Sequence, residues 1–290
     1  MEHTNRQLDA FSDAIYRFLD AETNLAADRH PALVKLAGDV RARIDPDRRS
    51  CIGLAGAPGC GKSTLAQALA CGLNAMAVPA VVLSLDDYYQ PLEYREQLAA
   101  THHPLFRQRG VPGTHELDRL MEDLDLLREG RARGRRVPVF DKSIDDRIPP
   151  EFWREIDTDP LVTIFEGWCV GAPPPGEREW TMAVGASNLP ADDLGRWRGR
   201  VRYSWTDYHL ALDKRLDELW YIRVPDWHSV IDWRWQQERD RDRRHLADRE
   251  AVRSFLATYE PVVEIMQRTY PDWAGLSLYA DRAHRIHLAN

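Results

Sequence analysis

Residues 56–64 read Gly-Ala-Pro-Gly-Cys-Gly-Lys-Ser-Thr and fit the pattern G-x-x-x-x-G-K-[ST] without a gap. The chemistry of that spacing is phosphate binding. Gly56, Gly59 and Gly61 let the backbone carrying Ala57, Pro58 and Cys60 turn successive N–H groups inward, and a helix beginning at the loop's end adds its positive dipole end. A triphosphate is the natural occupant. Lys62 is placed to neutralise its outer phosphates, and Ser63, followed by Thr64, to set a hydroxyl on a bridging magnesium ion.

Two acids stand where such a loop needs them. Asp86 ends the apolar run 80–85 and is followed by Asp87, Tyr88 and Tyr89. At the carboxyl end of a parallel strand a carboxylate lies on the edge where ligands bind, so Asp86 can take the proton of an attacking hydroxyl; Asp87 can do the same or cap the next turn. Glu166 ends the run 161–165 and is followed by Gly167. An acid closing a second buried strand after a phosphate loop is expected to hold the magnesium.

The elements that must carry these residues are legible as periods. Cys51 to Ala55 form a short apolar run, and Leu65, Ala66, Ala68, Leu69 and Ala70 continue past the loop with helical spacing. Residues 219–224 read as another buried strand, and 276–279 and 285–288 as closing strands. Upstream, Phe11, Ile15, Phe18 and Leu19, and then Leu33, Leu36, Val40 and Ile44 behind Pro31, mark two amphipathic helices. They form an N-terminal extension, residues 1–48, packed on a core of residues 49–290. Leu117 to Leu127 define a helix with Thr114 as its cap; 172–176 and 187–199 read as loops bearing Trp180 and Trp197; 205–216 and 251–270 read as helices.

Substrate contacts are expected from Tyr88, beside Asp86, and from several polar stretches. The connection 102–115 carries Arg107, Arg109 and His115, and the extended piece 137–147 carries Asp141, Lys142 and Arg147. These either bind a polar substrate or pair with one another. Three histidines in the first stretch lack a partner with ligand spacing and are not read as a metal site. The five arginines at 128, 131, 133, 135 and 136 are read as a solvated helix end. Residues 230–249 mix charges densely and are read as a helix that swings over the nucleotide, with Arg234, Arg239 and Arg243 stabilising charge on the moving phosphoryl group and water excluded.

Composition sets outer bounds. The 290 residues carry a net charge of -7 with 43% hydrophobic and 29% charged residues. That favours a globular protein working on small molecules and argues against nucleic-acid binding, which needs a basic face. No apolar run approaches the ~20 residues of a membrane span. The four cysteines lack C-x-x-C spacing, and Cys51 and Cys60 sit beside or in the loop, which points to a reducing, cytoplasmic setting.

Taken together, Gly-Ala-Pro-Gly-Cys-Gly-Lys-Ser-Thr, Ser-Leu-Asp-Asp-Tyr-Tyr, Arg-Gly-Val-Pro-Gly-Thr-His, Phe-Asp-Lys-Ser-Ile-Asp-Asp-Arg and Phe-Glu-Gly-Trp-Cys resemble, in order, the phosphoribulokinase and uridine kinase group of P-loop kinases, and within it the plant-type glycerate kinases and their bacterial relatives. The resemblance implies an α/β P-loop NTPase fold, a central parallel sheet flanked by helices with an Arg-bearing lid. It also implies ATP and Mg2+ as cofactors and phosphoryl transfer to the 3-hydroxyl of D-glycerate. By the same likeness Asp86 matches the general base, Glu166 the magnesium-linked acid and Arg234 the lid; Glu116 departs from the Asp that relatives tend to carry after Thr-His. Independently, a small anionic substrate needs a cation such as Arg107, Arg109, Lys142 or Arg147. The ten tryptophans leave open a stacking pocket for a nucleoside. Two other readings stand beside this one: a kinase for another metabolite such as pantothenate, a nucleoside or a sugar phosphate, and a nucleotide-binding regulator without transfer.

Overall fold

Seven consecutive positions, Ser50–Gly56, form β1, and all but the first are buried, as a strand covered on both faces requires. The computed structural model describes residues 2–187, 189, 194–240 and 246–289. Around β1 are β2 (Ala80–Ser84), β3 (Val162–Gly167), β4 (Glu218–Arg223), β5 (Leu276–Ala280) and β6 (Ile286–Leu288), in the spatial order β6-β5-β4-β1-β3-β2. Every pairing is parallel except β5 with β6. That edge departs from an all-parallel sheet because residues 281–285 are too few for a crossover and can only fold back as a hairpin.

The register aligns the chemistry. Leu54 and Ser84 both face Glu166 across the ladder, so the carboxyl ends of β1, β2 and β3 finish at one edge. In an open α/β sheet that edge is where ligands bind.

The helices are α1 (Glu2–Glu22), α2 (His30–Arg41), α3 (Lys62–Ala75), α4 (Leu92–Thr101), α5 (Leu117–Glu129), α6 (Glu177–Ala186), α7 (Leu194–Asp213), α8 (Trp227–Arg239), α9 (Arg249–Leu256) and α10 (Glu260–Thr269). Phe11, Ile15 and Leu19 of α1 and Leu33, Leu36 and Val40 of α2 are buried in the common core, while Phe18 is half-buried. Phe11 lies so close over α3 that a Cβ on Gly72 would come within 2.4 Å of its ring.

Four local expectations are corrected. The N-cap of α5 is Glu116; the Thr114 hydroxyl instead accepts from the Gly110 amide and donates to the Val111 carbonyl. The stretch 187–199 is not all loop, since α7 starts at Leu194, and Trp180 lies in α6. Trp180, Trp197 and Trp205 form one buried cluster, with centroids 6.1 and 5.9 Å from Trp180. The single helix expected over 251–270 is two, because Pro261 opens α10 and breaks the amide ladder of α9. A helix not anticipated, α4, follows Pro91.

The arginine-rich stretch is neutralised in place: Arg128 pairs with Asp217, Arg131 with Glu129, Arg135 with Glu122 and Asp123, and Arg136 with Glu155. Among the described residues no helix is long and apolar enough to cross a membrane.

Candidate active site

Between β1 and α3 the chain must reverse over a few residues, and Gly59 and Gly61 do so with φ of 79° and 95°, a region that side chains with a Cβ avoid. Gly61 caps α3, so the amides of its first turn face the loop. Above the loop opens a cavity of about 400 Å³. Pro58, Gly59, Gly61, Lys62, Ser63 and Thr64 line it; Ala57 and Cys60 are buried beneath, and burial pushes the Cys60 thiol up, away from the reactive thiolate.

Glu166 stands at the loop's base with 4% exposure. It accepts from the Ser63 hydroxyl at 2.9 Å and the Ser84 hydroxyl at 2.7 Å, and the Lys62 ammonium lies 3.9 Å from its other oxygen. Burial works to lower the Lys62 pKa, but Glu166, Cys60 and Asp86 together outweigh it and the group is held above its ordinary value. The result is a carboxylate and a hydroxyl adjoining the phosphate cradle, a hard oxygen set of the kind magnesium prefers.

Asp86 and Asp87 diverge. Both lie on a single 3₁₀ turn, Leu85–Tyr88, directly after β2. Asp86 lines the cavity, and the Lys142 ammonium donates to it at 2.5 Å. Burial works to raise its pKa, but Lys142 and Lys62 win, and the carboxyl lies well below the usual carboxylate range. Asp87 turns away to accept from the Phe140 amide at 3.2 Å, and burial pushes it up to about 6.

Arg109, 3% exposed, also reaches the cavity. Its guanidinium pairs with Asp145, which also pairs with the fully buried Arg95, and it lies over the rings of Phe140 and Phe255 at 5.5 and 5.4 Å. Two guanidiniums against one carboxylate leave a net positive charge of one behind this wall.

Five other residues expected at the substrate do not line the cavity. Tyr88 is buried and donates to Asp123 at 2.9 Å. Arg107 is exposed and pairs with Glu96 at 3.2 Å. Asp141 is bound locally by Ser143. Arg147 pairs with Glu116 and donates to the carbonyls of Tyr89 and Tyr88 at 2.6 and 3.0 Å, bracing the turn that carries Asp86. His115 is buried behind Tyr89, with ring centroids 4.3 Å apart, and bonded to the Tyr208 hydroxyl. Burial pushes it down to about 3, so it is neutral. Its companion His103 accepts from the Leu105 amide instead.

The phosphoribulokinase / uridine kinase family model matches residues 51–171, which include the glycine loop, Asp86 and Glu166. The Schizosaccharomyces pombe protein named "uncharacterized kinase mug58" is 30% identical over 222 residues, covering 72% of this chain and 78% of that protein. This chain belongs to the phosphoribulokinase and uridine kinase family. It is a kinase, a phosphotransferase with an alcohol group as acceptor. The chloroplastic D-glycerate 3-kinase of Arabidopsis thaliana is 29% identical over 224 residues, covering 72% of this chain but 46% of that longer protein. In fold, the chain is similar to a D-glycerate 3-kinase from Cryptococcus neoformans, with a TM-score of 0.68 at 23% identity over 90% of this chain and 96% of that one.

The kinase closes its cavity from above with α8. The backbone of Arg234 and the side chain of Trp233 lie 3.6 Å from where a Cβ on Gly59 would stand, so α8 rests on the loop. Arg234 lines the cavity and is buried, 2.6 Å from Glu238. Arg239 is exposed and does not line it, and Arg243 lies outside the described residues. Sequence reasoning missed Tyr89, Trp168, Gln237, Asp240, Phe255, Tyr259 and Asn24, which complete the lining. Trp168 was visible as the second residue after Glu166; Phe255, in the last turn of α9, and Tyr259, between α9 and α10, carried no local signal.

Proposed function

We propose that this kinase transfers the γ-phosphoryl group of ATP to the 3-hydroxyl of D-glycerate, giving 3-phosphoglycerate and ADP. The observation that carries the reading is the acceptor wall: Asp86, Arg109 and Lys142 line one cavity together. A hydroxy acid needs there an acceptor for its hydroxyl proton and cations for its carboxylate, and the three side chains offer both. The names of the Arabidopsis and Cryptococcus relatives point to the same acceptor.

In this reading the glycine loop and Lys62 bind the triphosphate, and Ser63 and Glu166 would hold Mg2+. When bound, magnesium draws charge from the phosphate oxygens. Lys142 leaves Asp86 for the substrate carboxylate, which frees the Asp86 oxygen to receive the hydroxyl proton. The hydroxyl oxygen forms its bond to the terminal phosphorus as the bond from phosphorus to the bridging oxygen breaks, and ADP takes that electron pair. Arg234 supplies positive charge from the lid side and helps exclude water as a competing acceptor. No covalent enzyme intermediate is needed; positioning and charge carry the rate.

The aromatic lining of Tyr89, Trp168, Phe255 and Tyr259 favours a ring-bearing acceptor as the second reading. A panel assay with MgATP and D-glycerate, L-glycerate, glycerol, pantothenate and uridine separates the two. D-Glycerate is expected to exceed the others at least tenfold in kcat/KM, with the product assigned by phosphorus NMR. Background rates on D-glycerate beside turnover of another acceptor overturn the assignment.

A further inference from the structure

The phosphate loop lies near the middle of the sheet, and the two sides of the sheet treat it differently. Asp86 reaches it from β2, at one edge, whereas Ile286 reaches it from β6, at the other, where a Cβ on Gly61 would come within 3.0 Å of the Ile286 side chain. A triphosphate whose terminal phosphoryl faces Asp86 must therefore lead its nucleoside out on the β6 side. On that side stands the N-terminal extension. Asn24 lines the main cavity together with Thr64, and a small adjoining cavity is bounded by Leu25, Arg29, Gly61, Thr64 and Ile286.

The connection between α1 and α2 is held in shape there. The Thr23 hydroxyl donates to the Leu19 carbonyl at 2.8 Å and accepts from the Leu25 amide at 3.3 Å, while His30 Nε2 donates to the Leu25 carbonyl at 2.9 Å. Asn24, between these anchors, is exposed at the cavity's rim. Its amide offers one donor and one acceptor side by side, the pair that matches the N6 amino group and N7 of adenine; guanine presents two acceptors along the same edge.

We propose that the N-terminal extension completes the nucleotide site, with Asn24 hydrogen-bonding the adenine base and thereby selecting ATP over GTP. The inference rests on the glycine loop as a triphosphate cradle and is independent of the acceptor. Binding of MgATP, MgGTP and magnesium tripolyphosphate to the full chain, measured by calorimetry without acceptor, tests it. The wild type is expected to bind ATP more tightly than either GTP or tripolyphosphate. Asn24→Ala is expected to weaken ATP about tenfold, in line with the loss of a base hydrogen-bond pair, to leave tripolyphosphate within about twofold, and to erase most of the ATP preference. An unchanged ATP-to-GTP ratio in the variant, or a wild type that binds ATP no better than tripolyphosphate, overturns the proposal. A wild type that binds tripolyphosphate but not ATP also overturns it while leaving the cradle intact; one that binds neither overturns the cradle reading as well.

Discussion

Replacing Glu166 by Gln removes one charge from the base of the phosphate loop while keeping the shape of the side chain. The hydrogen bonds can survive: Ser63 and Ser84 both donate to one Glu166 oxygen, and an amide oxygen in that place can still accept from both. What is lost is charge. Lys62 sits 3.9 Å from the carboxylate, and at an effective dielectric near 20 that attraction is about 4 kcal/mol. Bound phosphates also neutralise Lys62, so the loss in the working complex is smaller, about 3 kcal/mol, to which weaker magnesium binding adds. At about 1.4 kcal/mol per decade, kcat should fall on the order of 10²- to 10³-fold. The assay is initial rate against Mg2+ concentration at saturating ATP and D-glycerate. The half-maximal Mg2+ concentration should rise about tenfold or more, since a ligand charge is gone. A variant with kcat within about threefold of the wild type and an unshifted Mg2+ dependence would refute the assignment of Glu166 to the metal.

Lys142→Met should raise the acid limb of the kcat/KM pH profile. The Lys142 ammonium is the chief force holding Asp86 below the carboxylate range against burial, and without it protonation of Asp86 begins at higher pH; an unmoved limb contradicts this. Asp87→Asn should stabilise the protein at pH 8 and not at pH 3.5. The folded carboxyl sits near 6, above its unfolded value, so its favourable contribution is complete below 3.8 and lost as pH rises through about 6. Discounted for partial exposure, the gain is about 2 kcal/mol, a Tm rise of about 3–5 °C by scanning calorimetry; equal Tm values at pH 8 contradict it. Gly72→Ala should lower Tm by about 2–4 °C despite the better helix propensity of Ala, because the new Cβ would meet the Phe11 ring at 2.4 Å; a higher Tm would show that α1 yields freely.

The sheet and the loop were readable because each depends on local signals: buried strands as apolar runs, the cradle as glycines at fixed spacing, and Asp86 and Glu166 as acids at strand ends. The start of α7 was missed and read as loop, because Gly195, Gly199 and several charges disguised the three- and four-residue steps of Trp197, Val201, Trp205, Tyr208 and Leu212. The roles of the arginines were not readable. Arg109 and Arg147 are equally basic and stand in equally polar stretches, and only the fold decides that one lines the cavity while the other braces carbonyls beneath it. Arg147 also gives Glu116 its place, since the Glu116 carboxylate pairs with that guanidinium. Phe255, in α9, and Tyr259, just past its end, belong to the site because α9 packs on α8, which rests on the loop, a tertiary consequence that no window of sequence reports.

The account turns on Asp86 as the group that receives the acceptor's proton, and single-turnover transfer from bound ATP by Asp86→Asn measures this most directly. Transfer to D-glycerate should slow on the order of 10²- to 10⁴-fold, the range of general-base catalysis, while the affinity for MgATP stays within about threefold. Transfer at close to the wild-type rate would contradict the account, leaving the phosphate loop in place but the acceptor wall without its base.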